Sequence, residues 1–196
     1  MGNEKERALM ELEEACRECR KCRLCQTRKK MVFGTGVPDA EVMFVGEGPG
    51  EQEDKQGKPF VGPAGILLDK MLAAVDLSRE KNIYIANIVK CRPPYNRDPD
   101  PIEQDMCLYW LRRQFVVIRP KIIVCLGRIA AARIIKPDIR IKREHGTIFR
   151  KRGILMMPVL HPSALLRNPA DKPDAFEDFL KLQSLIREQC ERTYEK

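Results

Sequence analysis

The chain has 196 residues, 43% of them hydrophobic, and a formal net charge of +8 from 36 Lys+Arg against 28 Asp+Glu. This length and apolar content suit one domain with a full core and exclude a disordered chain. No apolar run nears the roughly 20 residues that span a bilayer, and the charged start MGNEKERALMELEEAC lacks a secretory core, so the expected location is the cytoplasm.

Residues 4–28 read as a helix that runs into a cluster of cysteines. EVMFVGEG (41–48) is a short buried strand ending in a glycine loop. A long polar loop, 51–62, follows, and then a helix over 63–75 with Pro63 in its first turn. NIYIANIVK (82–90) is a second strand, emptying into RPPYNRDPDP (92–101), which is too rich in proline for anything but an extended loop. A third helix covers about 102–118, KIIVCLG (121–127) is a third strand, and a helix spans 128–135. ILMMPVLHP (154–162) is a fourth strand, and a last helix runs from about 173 to 192. Apolar strands alternating with helices predict an α/β three-layer sandwich with a central, mainly parallel four-stranded sheet, one domain over 1–196. Ligands in such folds bind beyond the carboxyl ends of the strands. The loops after 46, 86 and 160 lie there.

Eight cysteines fall at 16, 19, 22, 25, 91, 107, 125 and 190. Without an export signal a disulfide framework is not expected, and metal ligation is the better reading of the clustered ones. The run Cys16-x2-Cys19-x2-Cys22-x2-Cys25 permits three readings. All four thiols bind one metal locally, a pair of them joins Cys91 and Cys107 across the fold, or they are spare. Spacing alone leaves an iron–sulfur cluster and a four-thiolate zinc site equally open. Cys125, inside an apolar strand, reads as core, and Cys190 as incidental.

Three stretches together resemble the family 4 uracil-DNA glycosylases, the iron–sulfur enzymes of thermophiles and archaea. They are Gly46-Glu47-Gly48-Pro49-Gly50-Glu51 with the following KQGKPFVGPAG, Asn87-Ile88-Val89-Lys90-Cys91-Arg92-Pro93-Pro94, and His161-Pro162-Ser163-Ala164-Leu165-Leu166-Arg167-Asn168. Their order and spacing extend the resemblance over about residues 19–190. It implies hydrolysis of the base–sugar bond of deoxyuridine in DNA, and a [4Fe–4S] cluster. It also implies the cysteine register. Cys22 precedes Arg23-Leu24 and stands eleven positions before Phe33, which matches Cys19 and Cys22 to the family's first pair and Cys91 and Cys107 to its second. Cys16 and Cys25 depart from the family pattern. The N-terminal segment is thus expected to bind the cluster.

Within that resemblance each site residue has a chemical rationale. Phe60 offers a flat face to a flipped pyrimidine. The Asn87 amide presents an acceptor and donors that match uracil N3–H and O4, a pattern cytosine reverses. His161 resembles the partner of uracil O2, stabilising negative charge on the leaving base. Glu47, with the backbone of Gly48 and Pro49, forms the loop beneath sugar and base. Glu53 is expected to crowd C5 and exclude the thymine methyl. Leu165, Leu166 and Arg167 suit a wedge that fills the gap left by the base and pins a phosphate. Lys90, Arg92, Arg97 and Arg143 are expected to contact the DNA backbone, and His145 to be a surface residue.

The expected partner is uracil-containing DNA, single- or double-stranded, with a sliding clamp as a further candidate. The chain is expected to act as a monomer associated with the nucleoid. The rival reading is a protein that binds and traps uracil-DNA with little turnover. A known relative of that kind carries a histidine in an inserted basic loop, where this chain has RPPYNRDPDP.

Overall fold

The computed structural model describes residues 2–194. Its centre is a six-stranded sheet of β1 (Thr35–Gly36), β2 (Val42–Gly46), β3 (Ile83–Asn87), β4 (Ile122–Leu126), β5 (Phe149–Lys151) and β6 (Ile154–Val159), in the order β1-β3-β2-β4-β6-β5. β2, β3, β4 and β6 are mutually parallel, with Val42 opposite both Ile83 and Ile122, and Ile122 opposite Leu155. These are the four strands the apolar runs predict. The two additions, β1 and β5, pair antiparallel at the edges. They run for two and three residues and stay partly exposed, too short and too polar to leave an alternating pattern.

Both faces of the parallel strands are buried, so these segments read as continuous apolar runs. Met43, Val45, Tyr84, Ala86, Ile123 and Cys125 point into one core, which includes Leu9 and Leu12 of α1 (Gly2–Arg17), Leu111 of α4 (Pro101–Ile118) and Ala130 of α5 (Arg128–Ile134). The alternate residues Val42, Phe44, Ile83, Ile85, Ile122 and Val124 point into the other. There they meet Leu68 and Leu72 of α3 (Pro63–Ala73) and Phe179 and Leu182 of α8 (Lys172–Gln189). The result is three layers, helices on both sides of one sheet. Among the described residues no helix is long and apolar enough to cross a membrane.

Three local expectations need correction. The first helix stops at Arg17, and the cysteine segment beyond it is irregular but for a 3-10 turn at Arg23–Gln26. The polar stretch after β2 contains α2 (Glu51–Gln56), whose first turn is closed by the Glu53 carboxylate accepting from Gly50 N at 3.1 Å. The segment after His161 is α7 (Pro162–Arg167) rather than a loop, while α6 (Ile141–Glu144) is a single turn. The sheet's order turns about β2, with β3 on one side and β4 on the other. The chains leaving β2 and β4 therefore part, and a crevice opens at the carboxyl ends of the strands.

Candidate active site and thiol cluster

A cavity of about 510 Å³ occupies that crevice, within the range of small-molecule sites. Glu47, Gly48, Pro49, Glu53, Phe60, Asn87 and His161, all seven residues expected to meet the base, line it. Gly46 at the end of β2 makes the arrangement possible. A Cβ there would lie 2.5 Å from Asn87 Oδ1 and 2.6 Å from the Phe60 ring.

Phe60 holds a left-handed backbone, φ 53, which costs a side-chain-bearing residue about 1–3 kcal/mol. Arg79 holds the strained turn, donating to the carbonyls of Pro59 at 2.7 Å and Phe60 at 3.1 Å while it pairs with Asp69 at 2.6 Å. Gly65 leaves room for the Phe60 carbonyl, since a Cβ would sit 1.9 Å from its oxygen. The Phe60 ring lies 5.8 Å from that of His161, tilted by 34°. A planar ligand lying on Phe60 therefore comes within reach of the imidazole.

Asn87 sits at the last position of β3 and is 2% exposed. Its Oδ1 is buried and has no hydrogen-bond partner among the described residues. Leaving such a group unmet costs about 1–3 kcal/mol, which a ligand donating to Oδ1 would relieve.

His161 is the N-cap of α7. Its Nδ1 accepts from the Ser163 backbone N–H at 3.1 Å and lies 2.8 Å from Ser163 Oγ. With that lone pair engaged, the proton of the neutral ring belongs on Nε2. Burial, assisted by the Arg167 charge, pushes the imidazole pKa down to about 4. At neutral pH His161 is thus an uncharged donor. Glu47 moves the other way. Burial, and secondarily the negative charge of Asp98, push its carboxyl up to about 7, while Arg128 opposes them. Arg128 itself bridges to Asp98 at 2.5 Å.

Several residues sit differently from expectation. The Glu53 carboxylate lines the cavity but is engaged by the backbone N–H groups of Gly50 (3.1 Å), Val61 (2.8 Å) and Gly62 (2.8 Å). It clamps two loops together rather than standing free at a ring edge. Leu165 is fully buried against Leu160 and Ala175, so it cannot wedge into DNA, whereas Leu166 and Arg167 are exposed. Lys90 is buried too, its Nζ donating to Asn87 O at 3.0 Å and Gln114 Oε1 at 2.6 Å, which removes it from any backbone contact. Arg97 is tied to Glu103 by two hydrogen bonds. His145 is only partly exposed and pairs at 2.6 Å with the buried Asp178. Arg97 still lines the cavity, together with Arg128, Lys142 and Arg167, a rim of cations suited to phosphates.

On the far side of β3 a second, smaller cavity is lined by Cys16, Cys19, Cys22, Cys25, Cys91 and Cys107. Three of these sulfurs accept hydrogen bonds of 3.2 Å, Cys19 from Trp110 Nε1, Cys91 from Arg28 Nη1 and Cys107 from Lys90 N. Donors aimed at sulfur favour thiolates and tune iron–sulfur clusters. Burial, with the neighbouring thiols behind it, raises the pKa of Cys91 and takes Cys107 to about 12, so these thiols ionise only against a strong positive charge. Among the described residues no three of these side chains converge tightly enough to hold one ion. Cys125 is fully buried in β4, away from this wall.

The sequence concealed Arg79, Ser163, Arg28 and Trp110, which orient a neighbour or a sulfur rather than meet a ligand. Their only signal was proximity to a motif.

The model of the uracil DNA glycosylase superfamily matches residues 33–182. A type-4 uracil-DNA glycosylase of Archaeoglobus fulgidus is 43% identical over 168 residues, covering 82% of this chain and 84% of the relative. One from Thermotoga maritima is 42% identical over 83% of this chain and 86% of the relative. A type-5 uracil-DNA glycosylase of Pyrobaculum aerophilum is 31% identical over 68% of both chains.

Proposed function

Because the chain belongs to the uracil DNA glycosylase superfamily, and within it to the type-4 enzymes, we propose that it hydrolyses the N-glycosidic bond of deoxyuridine in DNA. Uracil leaves and an abasic site remains, the first step of base excision repair. The observation that carries the reading is the buried, unpartnered Oδ1 of Asn87 beside the Phe60 ring.

The deoxyuridine must leave the stack before its C1′–N1 bond can be reached. The uracil then lies on Phe60. Asn87 Oδ1 accepts from N3–H, and Nδ2 donates to O4. Cytosine presents an acceptor at N3 and leaves Oδ1 facing a lone pair. As the bond breaks, negative charge gathers on the uracil and positive charge on the sugar. The His161 Nε2–H donates to O2, where the charge arrives, and a neutral donor strengthens its bond without having to give up a proton. The ionised Glu47 carboxylate favours the cationic sugar and orients the water that attacks C1′. Arg128, Lys142 and Arg167 hold phosphates, and Leu166 fills the space left in the stack.

Cys19, Cys22, Cys91 and Cys107 would hold a [4Fe–4S] cluster, which supplies cross-links rather than a step in hydrolysis. The cluster would tie the N-terminal segment to the chain between β3 and α4, and Lys90 joins that wall to the backbone of Asn87. Turnover is favoured over trapping because residues 92–101 contain no histidine and His145 is held by Asp178.

A labelled oligonucleotide with one uracil, incubated with the protein and then heated in alkali, should break at that position. Matched strands with cytosine or thymine should stay intact. An unbroken uracil strand would overturn the reading.

A further inference from the structure

Tyr95 is 99% exposed, the most exposed of the large apolar side chains among the described residues. A lone apolar residue on a surface needs no explanation. Tyr95, however, also occupies the left-handed backbone region, φ 56, and so does Asn96 at φ 55. A bulky aromatic residue there carries strain, and such strain persists only where the surroundings impose it.

The surroundings do impose it. Pro93 and Pro94 enter the turn, Asn96 N donates to Pro93 O at 3.1 Å, and Arg97 N donates to Pro94 O at 3.2 Å. Arg92 Nε donates to Asn96 Oδ1 at 2.7 Å, Arg97 is fixed to Glu103, and Asp98 to Arg128. Pro93, Asn96, Arg97 and Asp98 line the cavity that holds Asn87 and Phe60. A braced turn at the mouth of the site therefore holds an unburied aromatic ring out into solvent.

We propose that Tyr95 is a stacking platform for an unpaired base beside the extruded uracil, so that it favours single-stranded over duplex substrate. The inference rests on the glycosylase reading. Bases in single-stranded DNA are free to stack on protein rings, whereas those in a duplex are already stacked on each other. The neighbouring cations of the rim would carry the adjoining phosphates.

The test compares Tyr95→Ala, Tyr95→Phe and Tyr95→Trp with the parent, each carrying its cluster, on single-stranded and duplex uracil oligonucleotides at one salt concentration. Losing one base stack should weaken single-strand binding by about fivefold or more. Duplex binding should change less than about twofold, and saturating single-turnover rates should hold. Phe and Trp should preserve single-strand affinity. An unchanged single-strand affinity in Tyr95→Ala overturns the proposal, as does an equal loss on duplex, or a Phe variant as weak as Ala. If the parent releases no uracil at all, the glycosylase reading fails instead, and the binding comparison still judges Tyr95.

Discussion

The pKa of Glu47 makes the pH dependence of the reaction calculable. Burial against the loop after β2, with the charge of Asp98 behind it, places this carboxyl at about 7. If the ionised form carries the reaction, about half the protein is competent at pH 7, about a tenth at pH 6 and about a hundredth at pH 5. His161 adds no second limb, because its pKa of about 4 leaves it neutral throughout that range. Single-turnover excision with saturating protein should thus rise about tenfold from pH 5 to 6, about fivefold from 6 to 7, and less than about twofold above pH 7. Glu47→Gln should be slow and flat over the same range. Asp98→Asn should move the midpoint down, since it removes a repelling charge and frees Arg128 from its bridge. The same group has a stability signature of definite sign. Its folded pKa lies above the unfolded value, so its contribution is full at low pH and is lost as pH rises through about 7. Glu47→Gln should therefore melt higher than the parent at pH 8 and similarly at pH 4. A parent profile that is flat, or falls with rising pH, would refute the role given to the carboxylate. So would a slope that survives in Glu47→Gln.

Three further outcomes follow from the site and its supports. His161→Ala should lose about a hundredfold or more in single-turnover rate, since one transition-state donor is worth about 2.7–4 kcal/mol; affinity for uracil-DNA should stay within several-fold, and equal losses would make His161 a binding group only. Anaerobically purified protein should be brown with about four irons per chain; Cys91→Ala should lose the iron and the visible absorbance, Cys125→Ala should keep both, and zinc without iron in the parent would contradict the assignment. Glu53→Ala strips three backbone donors of a charged acceptor and should lower stability by at least about 1.5–3 kcal/mol in denaturant melts. An unchanged midpoint would mean the clamp is dispensable.

The legibility of this molecule in its sequence followed from burial. β2, β3, β4 and β6 are buried on both faces, so each appeared as an unbroken apolar run of the right length. α2 and α7 did not appear because each has six residues and neither has an apolar stripe long enough to repeat. Their starts are set by single contacts, Glu53 on Gly50 N and His161 on Ser163 N, which no periodicity encodes. The residues meant to touch the base were legible through the three motifs, and one cavity gathers them. What the motifs could not convey was direction. Leu165 and Leu166 are identical neighbours, yet the helical turn buries the first and exposes the second. Lys90 looked like a surface cation within a basic stretch, and the chain after β3 turns it inward to Gln114. Glu53 reads as a group at the C5 edge, and the fold instead brings Val61 and Gly62 to its carboxylate.

Turnover on uracil in DNA is the central claim, and counting free uracil tests it most directly. The protein is mixed with a large excess of uracil-containing single-stranded oligonucleotide, and released base is measured against protein by mass spectrometry. The account predicts many equivalents of uracil per chain, a matching number of abasic sites, and no DNA covalently retained. One equivalent or less, with the oligonucleotide bound to the protein through denaturing electrophoresis, would contradict it and identify a trap instead.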